Sequence, residues 1–294
     1  MEKNTMTVGF IGQGFIGKSY ADDFERRGYK VVRYALEEPY RTNKKLITTC
    51  DVVFVAVPTP TTPKGFDYSI VAEALSLVGS GKTAVIKSTV LPGTTRALQK
   101  RFPKLILMHL PEFLVLKQAP EDVSRPLRSI VGIPRKTLRY RTAAHRVLKI
   151  LPHAPFEVVC SAEEAELIKY GGNLFLYLKV LYANLMYELC ETVHADYEVV
   201  RTAIAADPRI GPSHLQVLHD SGHKGAKKGR GAGGVCFIKD IAALADHYDK
   251  VVRDRRGSAL IRAAIAKNTD LLTRSGKDID LLRGVYGASG GRRR

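Results

Sequence analysis

The chain has 294 residues, 45% hydrophobic and 26% charged, which predicts about two domains and excludes collagen-like, disordered and disulfide-scaffold classes. Lys and Arg outnumber Asp and Glu 46 to 29, a net charge of +17; that excess attracts polyanions, from nucleotides to nucleic acid, and says nothing about fold. No apolar run approaches the roughly 18 residues needed to span a bilayer, and the start has no secretory-signal pattern, so the expected location is cytoplasmic and no membrane is expected as a partner.

Hydrophobic runs predict strands over 7–11, 30–34, 51–57, 83–86, 105–108 and 129–132, and helices over 16–27, 69–78 and 93–100. Gly28 stops the first helix, Pro58 and Pro60 end the third strand, and Pro92 opens the third helix. Continuous apolar strands separated by helices predict a doubly wound, mainly parallel sheet. The pattern changes at Ser161-Ala-Glu-Glu164, a capping box, which opens a long helix to about 191. A helix over 196–206 follows. The Gly- and Lys-rich stretch 222–234 is a loop, with further helices over 238–248 and 258–272. The expected fold class is therefore α/β: a Rossmann-type doubly wound parallel sheet over 1–160, then a smaller all-helical domain over 161–285. Residues 286–294 read as a disordered basic tail. From Ser221 onward there are 17 basic and 7 acidic residues.

Cys50, Cys160, Cys190 and Cys236 stand far apart, without zinc spacing, so no metal site is expected. In a reducing compartment they are thiols, and each reads by default as a small buried hydrophobe.

Three constellations could carry chemistry. Gly12-Gln13-Gly14-Phe15-Ile16-Gly17 follows a strand and opens a helix, the context in which a glycine turn brings backbone amides to a pyrophosphate. The usual ribose-binding acid would stand near Ala35, which is not acidic; Glu37 and Glu38 lie just beyond, and Arg33 could instead favour a 2′-phosphate. The second block is Gly233-Gly234-Val235-Cys236-Phe237-Ile238-Lys239-Asp240. Here a thiol at a helix start beside a lysine is favoured as thiolate, although a buried structural cysteine remains the better local reading. The third is Lys169-Tyr-Gly-Gly-Asn173, which puts an ammonium and an amide on one helix face, suited to an oxyanion or simply a solvated lysine near a kink.

Together these blocks resemble the nucleotide-sugar dehydrogenases, specifically the UDP-glucose 6-dehydrogenase group. The resemblance runs from Gly9 to about Ala245 and includes Val55-Ala-Val-Pro-Thr-Pro60, Lys87-Ser-Thr-Val-Leu-Pro-Gly-Thr94, Pro111-Glu-Phe-Leu114, Glu166–Asn173, Asp207-Pro-Arg-Ile-Gly211 and Gly233–Asp240. It implies NAD-dependent oxidation of UDP-glucose to UDP-glucuronate, a glycan precursor, through a cysteine thiohemiacetal and thioester. Cys236 would be the nucleophile. Lys169 and Asn173 would stabilise the oxyanion. Glu112 and Asp240 would serve proton transfer and hydrolysis, with Thr89 positioning a water. Gly12, Gly14, Phe15, Ile16, Gly17, Pro58, Thr59, Thr89 and Lys239 would bind NAD. Glu112, Phe113, Leu114, Lys169, Asn173, Arg209 and Gly233 would bind the UDP-sugar. A homodimer built on the long helix is also implied.

Departures from the family pattern are Ala35 for the ribose acid, Leu110 for an asparagine, Ala232 within the glycine run, Ile238 for a proline, and a missing C-terminal UDP-binding domain. The short chain has three readings: a minimal enzyme whose basic loop from His223 to Arg230 and basic C-terminal part hold the diphosphate, with Arg209 coming from a dimer partner; an enzyme completed by a separate chain; or a non-catalytic nucleotide-binding relative. Rival classes are a β-hydroxyacid-type dehydrogenase, which would share the Lys169/Asn173 pair without the cysteine, and a nucleic-acid binder using the basic loop and tail, for which no motif is present.

Overall fold

The structure, a computed structural model, describes residues 6–223 and 225–287. The tail expected from 286 lies, from residue 288 on, outside the described residues, as does Lys224 of the basic loop. The described residues form two compact units: 6–60 with 67–169, and 61–66 with those from 170 to 287.

The first unit runs β1 (Thr7–Ile11), α1 (Phe15–Arg26), β2 (Lys30–Tyr34) and β3 (Val52–Val55). The short strands β4 (Thr61–Thr62) and β5 (Gly65–Phe66) form a hairpin that belongs to the second unit. The first unit then continues with α2 (Ser69–Leu75), β6 (Thr83–Ile86), α3 (Thr94–Arg101), β7 (Ile106–His109), α4 (Ala119–Ser124), β8 (Arg128–Ile133), α5 (Leu138–Ile150) and β9 (Phe156–Ser161). Its seven-stranded sheet has the order β2-β1-β3-β6-β7-β8-β9. All neighbours are parallel except β7 and β8. The order reverses between β1 and β3, so the ligand crevice of such a sheet falls at the carboxyl ends of those strands.

Apolar burial sets these strands. All four residues of β3 are buried, as a strand covered on both faces requires. Tyr20, Ala21 and Phe24 of α1 are buried at helical spacing. Phe10, Phe24 and Phe54 form an aromatic knot with centroids 5.1 to 5.5 Å apart. Burying one such ring contributes about 1.5–3 kcal/mol. The element α5, absent from the hydrophobic reading, buries Tyr140, Ala144, Val147 and Ile150. Arginines at 139, 141 and 146 hide that stripe in the sequence. The strand β9 was equally illegible, since none of its residues is fully buried.

The second unit holds α6 (Ala162–Thr192) from Tyr170 on, α7 (Tyr197–Ala205), α8 (Gly234–Val251), α9 (Arg255–Ser275) and α10 (Ile279–Tyr286). It is helical as expected, and the hairpin β4–β5 packs within it beside α8 and α10. At the start of α6 the Ser161 amide donates to Glu164 (2.6 Å) and the Glu164 amide to the Ser161 hydroxyl (3.3 Å), the reciprocal capping box. Tyr177, Val180 and Leu181 of α6 pack with Ile241 and Ala245 of α8 and Ile261 and Ile265 of α9. The expected loop over 222–234 carries one isolated bridge, His219 to Gly229. Among the described residues no helix is long and apolar enough to cross a membrane.

His109 ends β7 fully buried, its Nδ1 3.0 Å from the Ile86 carbonyl. Burial, helped by the charges of Lys87 and Lys169, outweighs that bond and pushes its pKa down to about 3. The unfolded chain takes up a proton here near pH 6.5 and the folded chain does not. Stability from this group is thus complete above about pH 6.5 and lost as pH falls toward 3, by up to about 1.4 kcal/mol per unit. Urea unfolding at pH 7 and pH 5 checks this: His109→Gln is expected to flatten the acid slope of the wild type.

Candidate active site

The glycine turn after β1 divides its three glycines by environment. Gly12 has φ +91°, and a Cβ on it would lie 2.3 Å from the Ala56 carbonyl oxygen. A Cβ on Gly17 would lie 1.9 Å from the Gly12 oxygen. These two close the turn on itself and on β3. Gly14, by contrast, has nothing within 4 Å of its Cβ position and heads α1 with no side-chain cap. A cradle of backbone open at Gly14, at the start of a 12-residue helix, fits a pyrophosphate. Phe15 and Ile16 form the first turn of that helix.

Beyond β2, Ala35 is buried while Glu37 and Glu38 are exposed. Arg33 is buried and bonds Glu25 at 2.6 and 2.9 Å and Asp22 at 2.7 Å. Those carboxylates compete with the reading in which it holds a 2′-phosphate.

Pro58 is exposed beyond β3, and the Thr59 hydroxyl donates to the Thr89 carbonyl at 2.8 Å. The Ser88 hydroxyl meanwhile donates to the Val57 carbonyl at 2.6 Å. The loops after β3 and β6 are therefore tied together at the switch point. Glu112 is no surface carboxylate. It is buried, 2.8 Å from the Nζ of Lys87, and accepts the amides of Phe113 (2.8 Å) and Leu114 (3.2 Å). Lys87 is 1% exposed, and its ammonium lies 3.9 Å from the Tyr20 ring centroid. Burial pulls its pKa down and the Glu112 charge opposes that. Lys87 and Glu112 line a cavity of about 350 Å³ with Tyr20, Phe113 and Leu114. Lys169 is half-buried, its ammonium 5.6 Å from the Phe113 ring centroid.

In the second unit Asp240 is 1% exposed. It accepts the Asn173 amide at 2.8 Å and meets the Lys239 ammonium at 2.5 Å. Burial works against the charge of Lys239, but Asp240 and the Cys236 thiol outweigh it and raise its pKa. Cys236 stands in the first turn of the 18-residue α8 and is exposed, whereas Cys50 and Cys190 are buried. Burial pushes Cys50 and Cys160 up to about 11, so neither is a nucleophile near neutral pH. Gly233 precedes the helix. A Cβ there would strike the Asp278 carboxylate at 2.0 Å.

Two expected contributors are engaged by neighbouring side chains. Arg209 is exposed and bonds Asp207 of its own turn at 2.6 Å, while Lys179 pins that turn through the carbonyls of Ile210 (2.6 Å) and Gly211 (3.1 Å). Arg230 of the basic loop is engaged by Asn184 and Glu188, each at 2.8 Å. Its guanidinium is committed inside the unit, against the reading in which it holds a diphosphate; Lys227 and Lys228 remain exposed.

Hydrophobic patterning missed several residues. Glu166 is buried and accepts the amides of Gly93 (2.6 Å) and Thr95 (2.8 Å). Burial pushes its carboxyl up to about 7 against those bonds. Lys87, just past β6, was named only as the first residue of the block Lys87–Thr94, without a role. Asn268, Lys277 and Asp278 gave no signal at all.

The first unit is thus a doubly wound sheet with a glycine turn open to a pyrophosphate, the fold class of dinucleotide-binding domains, and the second carries a thiol near a lysine and a buried carboxylate–amide pair. Sequence models of the UDP-glucose/GDP-mannose dehydrogenase family match residues 38–149 (its NAD binding domain) and 163–270 (its central domain). The chain belongs to that family. The UDP-glucose 6-dehydrogenase of Rhizobium meliloti is 31% identical over 253 residues, covering 80% of this chain and 54% of that protein. The chain spans about half the length of the curated relatives it matches. A UDP-glucose dehydrogenase structure from Pyrobaculum islandicum superposes with TM-score 0.78 at 26% identity, over 96% of this chain and 71% of that one. The fold, though not the sequence, is also shared with a 3-hydroxyisobutyrate dehydrogenase of Mycobacterium tuberculosis. That match has TM-score 0.65 at 15% identity and covers 90% of this chain and 96% of that one.

The glycine environments make opposite demands. Gly17→Ala should cost on the order of 3 kcal/mol by overpacking the turn. Gly14→Ala should leave the melting temperature unchanged yet weaken NAD about tenfold or more, equivalent to about 1.4 kcal/mol. Thermal melts beside NAD titration by calorimetry separate the two.

Proposed function

We propose that this chain oxidises UDP-glucose to UDP-glucuronate at C6. The observation carrying this reading is the exposed Cys236 at the start of α8, flanked by Lys239 and the buried Asp240–Asn173 pair. Its relative in Rhizobium meliloti bears the name UDP-glucose 6-dehydrogenase.

The turn at Gly12, Gly14, Phe15, Ile16 and Gly17, with Pro58 and Thr59, would hold NAD, which when bound accepts the hydrides. After the C6 alcohol has lost its first hydride and proton, Sγ of Cys236 adds to the aldehyde carbon. A C–S bond forms and the carbonyl oxygen becomes an alkoxide. Lys169 and Asn173 stabilise that negative oxygen. Loss of a second hydride from C6 leaves a thioester, a good acyl donor. Water, positioned by Thr89 and deprotonated by Glu112 or Asp240, adds to the thioester; the C–S bond breaks and the thiolate departs. The balance is one water consumed, two hydrides removed, three protons released and one carboxylate formed. Phe113, Leu114, Arg209 and Gly233 are assigned to the nucleotide-sugar.

A second copy of the chain is the proposed partner. Phe175, Leu178, Tyr182, Leu185 and Leu189 recur on α6 at alternating spacings of three and four and are all exposed. That is the seam by which two helices interlock. Leu185→Glu combined with Leu189→Glu is expected to convert a dimer to a monomer in light scattering after size exclusion.

The reaction is tested by NADH formed from limiting UDP-glucose. The expected yield is two NADH per sugar, abolished in Cys236→Ala. No NADH from UDP-glucose in a chain that binds NAD would overturn the assignment, and other nucleotide-sugars would be tried next. One NADH per substrate, indifferent to Cys236, would instead favour a β-hydroxyacid-type dehydrogenase.

A further inference from the structure

The glycine loop that leads into Cys236 is gripped from one side by the end of α9 and the turn into α10. The Ser275 hydroxyl lies 3.1 Å from the Arg230 amide and 3.3 Å from its carbonyl oxygen. The fully buried Lys277 donates to the Gly231 carbonyl at 2.9 Å. The Asn268 carboxamide takes both backbone groups of Ala232, accepting its amide at 2.7 Å and donating to its carbonyl at 2.9 Å. Asp278 accepts the amide of Gly234, the first residue of α8, at 2.7 Å. Four side chains thus engage four of five consecutive loop residues, and close approach at Gly229, Gly231 and Gly233 leaves no room for a Cβ without displacement.

Asp278 is the focal member. It is buried, and its backbone sits at φ +53°, a left-handed conformation uncommon outside glycine. Its Oδ2 also accepts the Ser221 hydroxyl, and its Oδ1 accepts Nε2–H of His223 at 2.8 Å. Gly233 supplies α8 with no side-chain cap. The Asp278 carboxylate, arriving from another helix, fills that role two residues before the thiol.

We propose that Asp278 is a positioning residue for Cys236, holding the start of α8 in place and setting the charge there. The proposal rests on the reading of Cys236 as the reactive thiol. A carboxylate at a helix N-terminus is favourable in itself. It also occupies the positive end of the dipole that a Cys236 thiolate would use, so its charge holds down the reactivity of the thiol. Among the described residues, the other charged groups bearing on this end are His223, Lys277 and Asp220 around Asp278, and Lys239 and Asp240 on α8.

The test is alkylation of Cys236 by iodoacetamide at pH 7, followed by mass spectrometry, with buried Cys50 and Cys190 as internal reporters of an intact fold. Asp278→Asn keeps an acceptor for the Gly234 amide and removes the charge. It should raise the Cys236 rate about two- to fivefold, the equivalent of one helix-terminal charge, with Cys50 and Cys190 still protected. A merely structural role would change all the thiols or none. Asp278→Ala should in addition cut kcat about tenfold or more while leaving the NAD dissociation constant unchanged. A wild-type alkylation rate in Asp278→Asn would overturn the proposal. Alkylation needs no turnover, so a chain inactive on UDP-glucose would count against the proposed reaction and leave this result decisive. Should Asp278→Ala fail to fold, the Asp278→Asn rate alone decides.

Discussion

A carboxylate removed from water has to be met by donors, and Asp240 is the residue on which the second unit turns. An unpaired charge at that depth would cost several kcal/mol. Its two oxygens are met by an amide from α6 and an ammonium from its own helix α8. Those partners can reach it only if α6 and α8 lie side by side. Tyr177, one turn beyond Asn173 on α6, and Ile241, next to Asp240 on α8, belong to the apolar cluster that packs the two helices together. The pairing of charge and the burial of hydrocarbon therefore demand one arrangement. The exposed thiol four residues before Asp240 inherits a fixed place from it.

The first unit uses the same logic with different partners. Lys87 and Glu112 neutralise each other in the interior, one on the loop after β6 and the other on the loop after β7. Glu166, fully buried, satisfies the open amides at the start of α3. In each case a functional loop is held by a polar side chain distant in sequence, whose burial would be costly without that loop. Such pairs stabilise little in net terms, because desolvation offsets the attraction. What they confer is a single geometry for loops otherwise rich in glycine and proline.

Glycine at these sites is dictated by neighbours more than by backbone freedom. Gly17 and Gly233 have no need of a positive φ; they are glycine because a carbonyl oxygen and a carboxylate occupy the space a Cβ would take. Gly14 has empty space instead, which is the space a cofactor needs.

Much of the fold was legible in order. The strands at Thr7–Ile11, Lys30–Tyr34 and Thr83–Ile86 match their expected bounds; the first and third are interior and almost wholly buried, so they must be largely apolar, while Lys30–Tyr34 lies at the sheet edge and keeps Lys30 exposed. The capping box at Ser161 was equally local: both of its partners lie within four residues. The glycine turn was readable for the same reason, whereas the local reading of Cys236 favoured a buried cysteine and the structure leaves it exposed. Local chemistry could not reveal that Glu112 is paired with Lys87, that Arg33 is spent on Glu25 and Asp22, or that Arg230 is held by Glu188. It could not reveal α5, whose buried stripe is masked by arginines, nor the hold of Asn268, Lys277 and Asp278 on the cysteine loop. Those contacts join residues eight to 46 positions apart, and a charged side chain carries no sign of its partner until the chain has folded. The sequence alone determined which segments would be buried and which residue types were at hand for chemistry. Only the tertiary structure decided which of those charges would be neutralised, because that depends on distances no local pattern encodes.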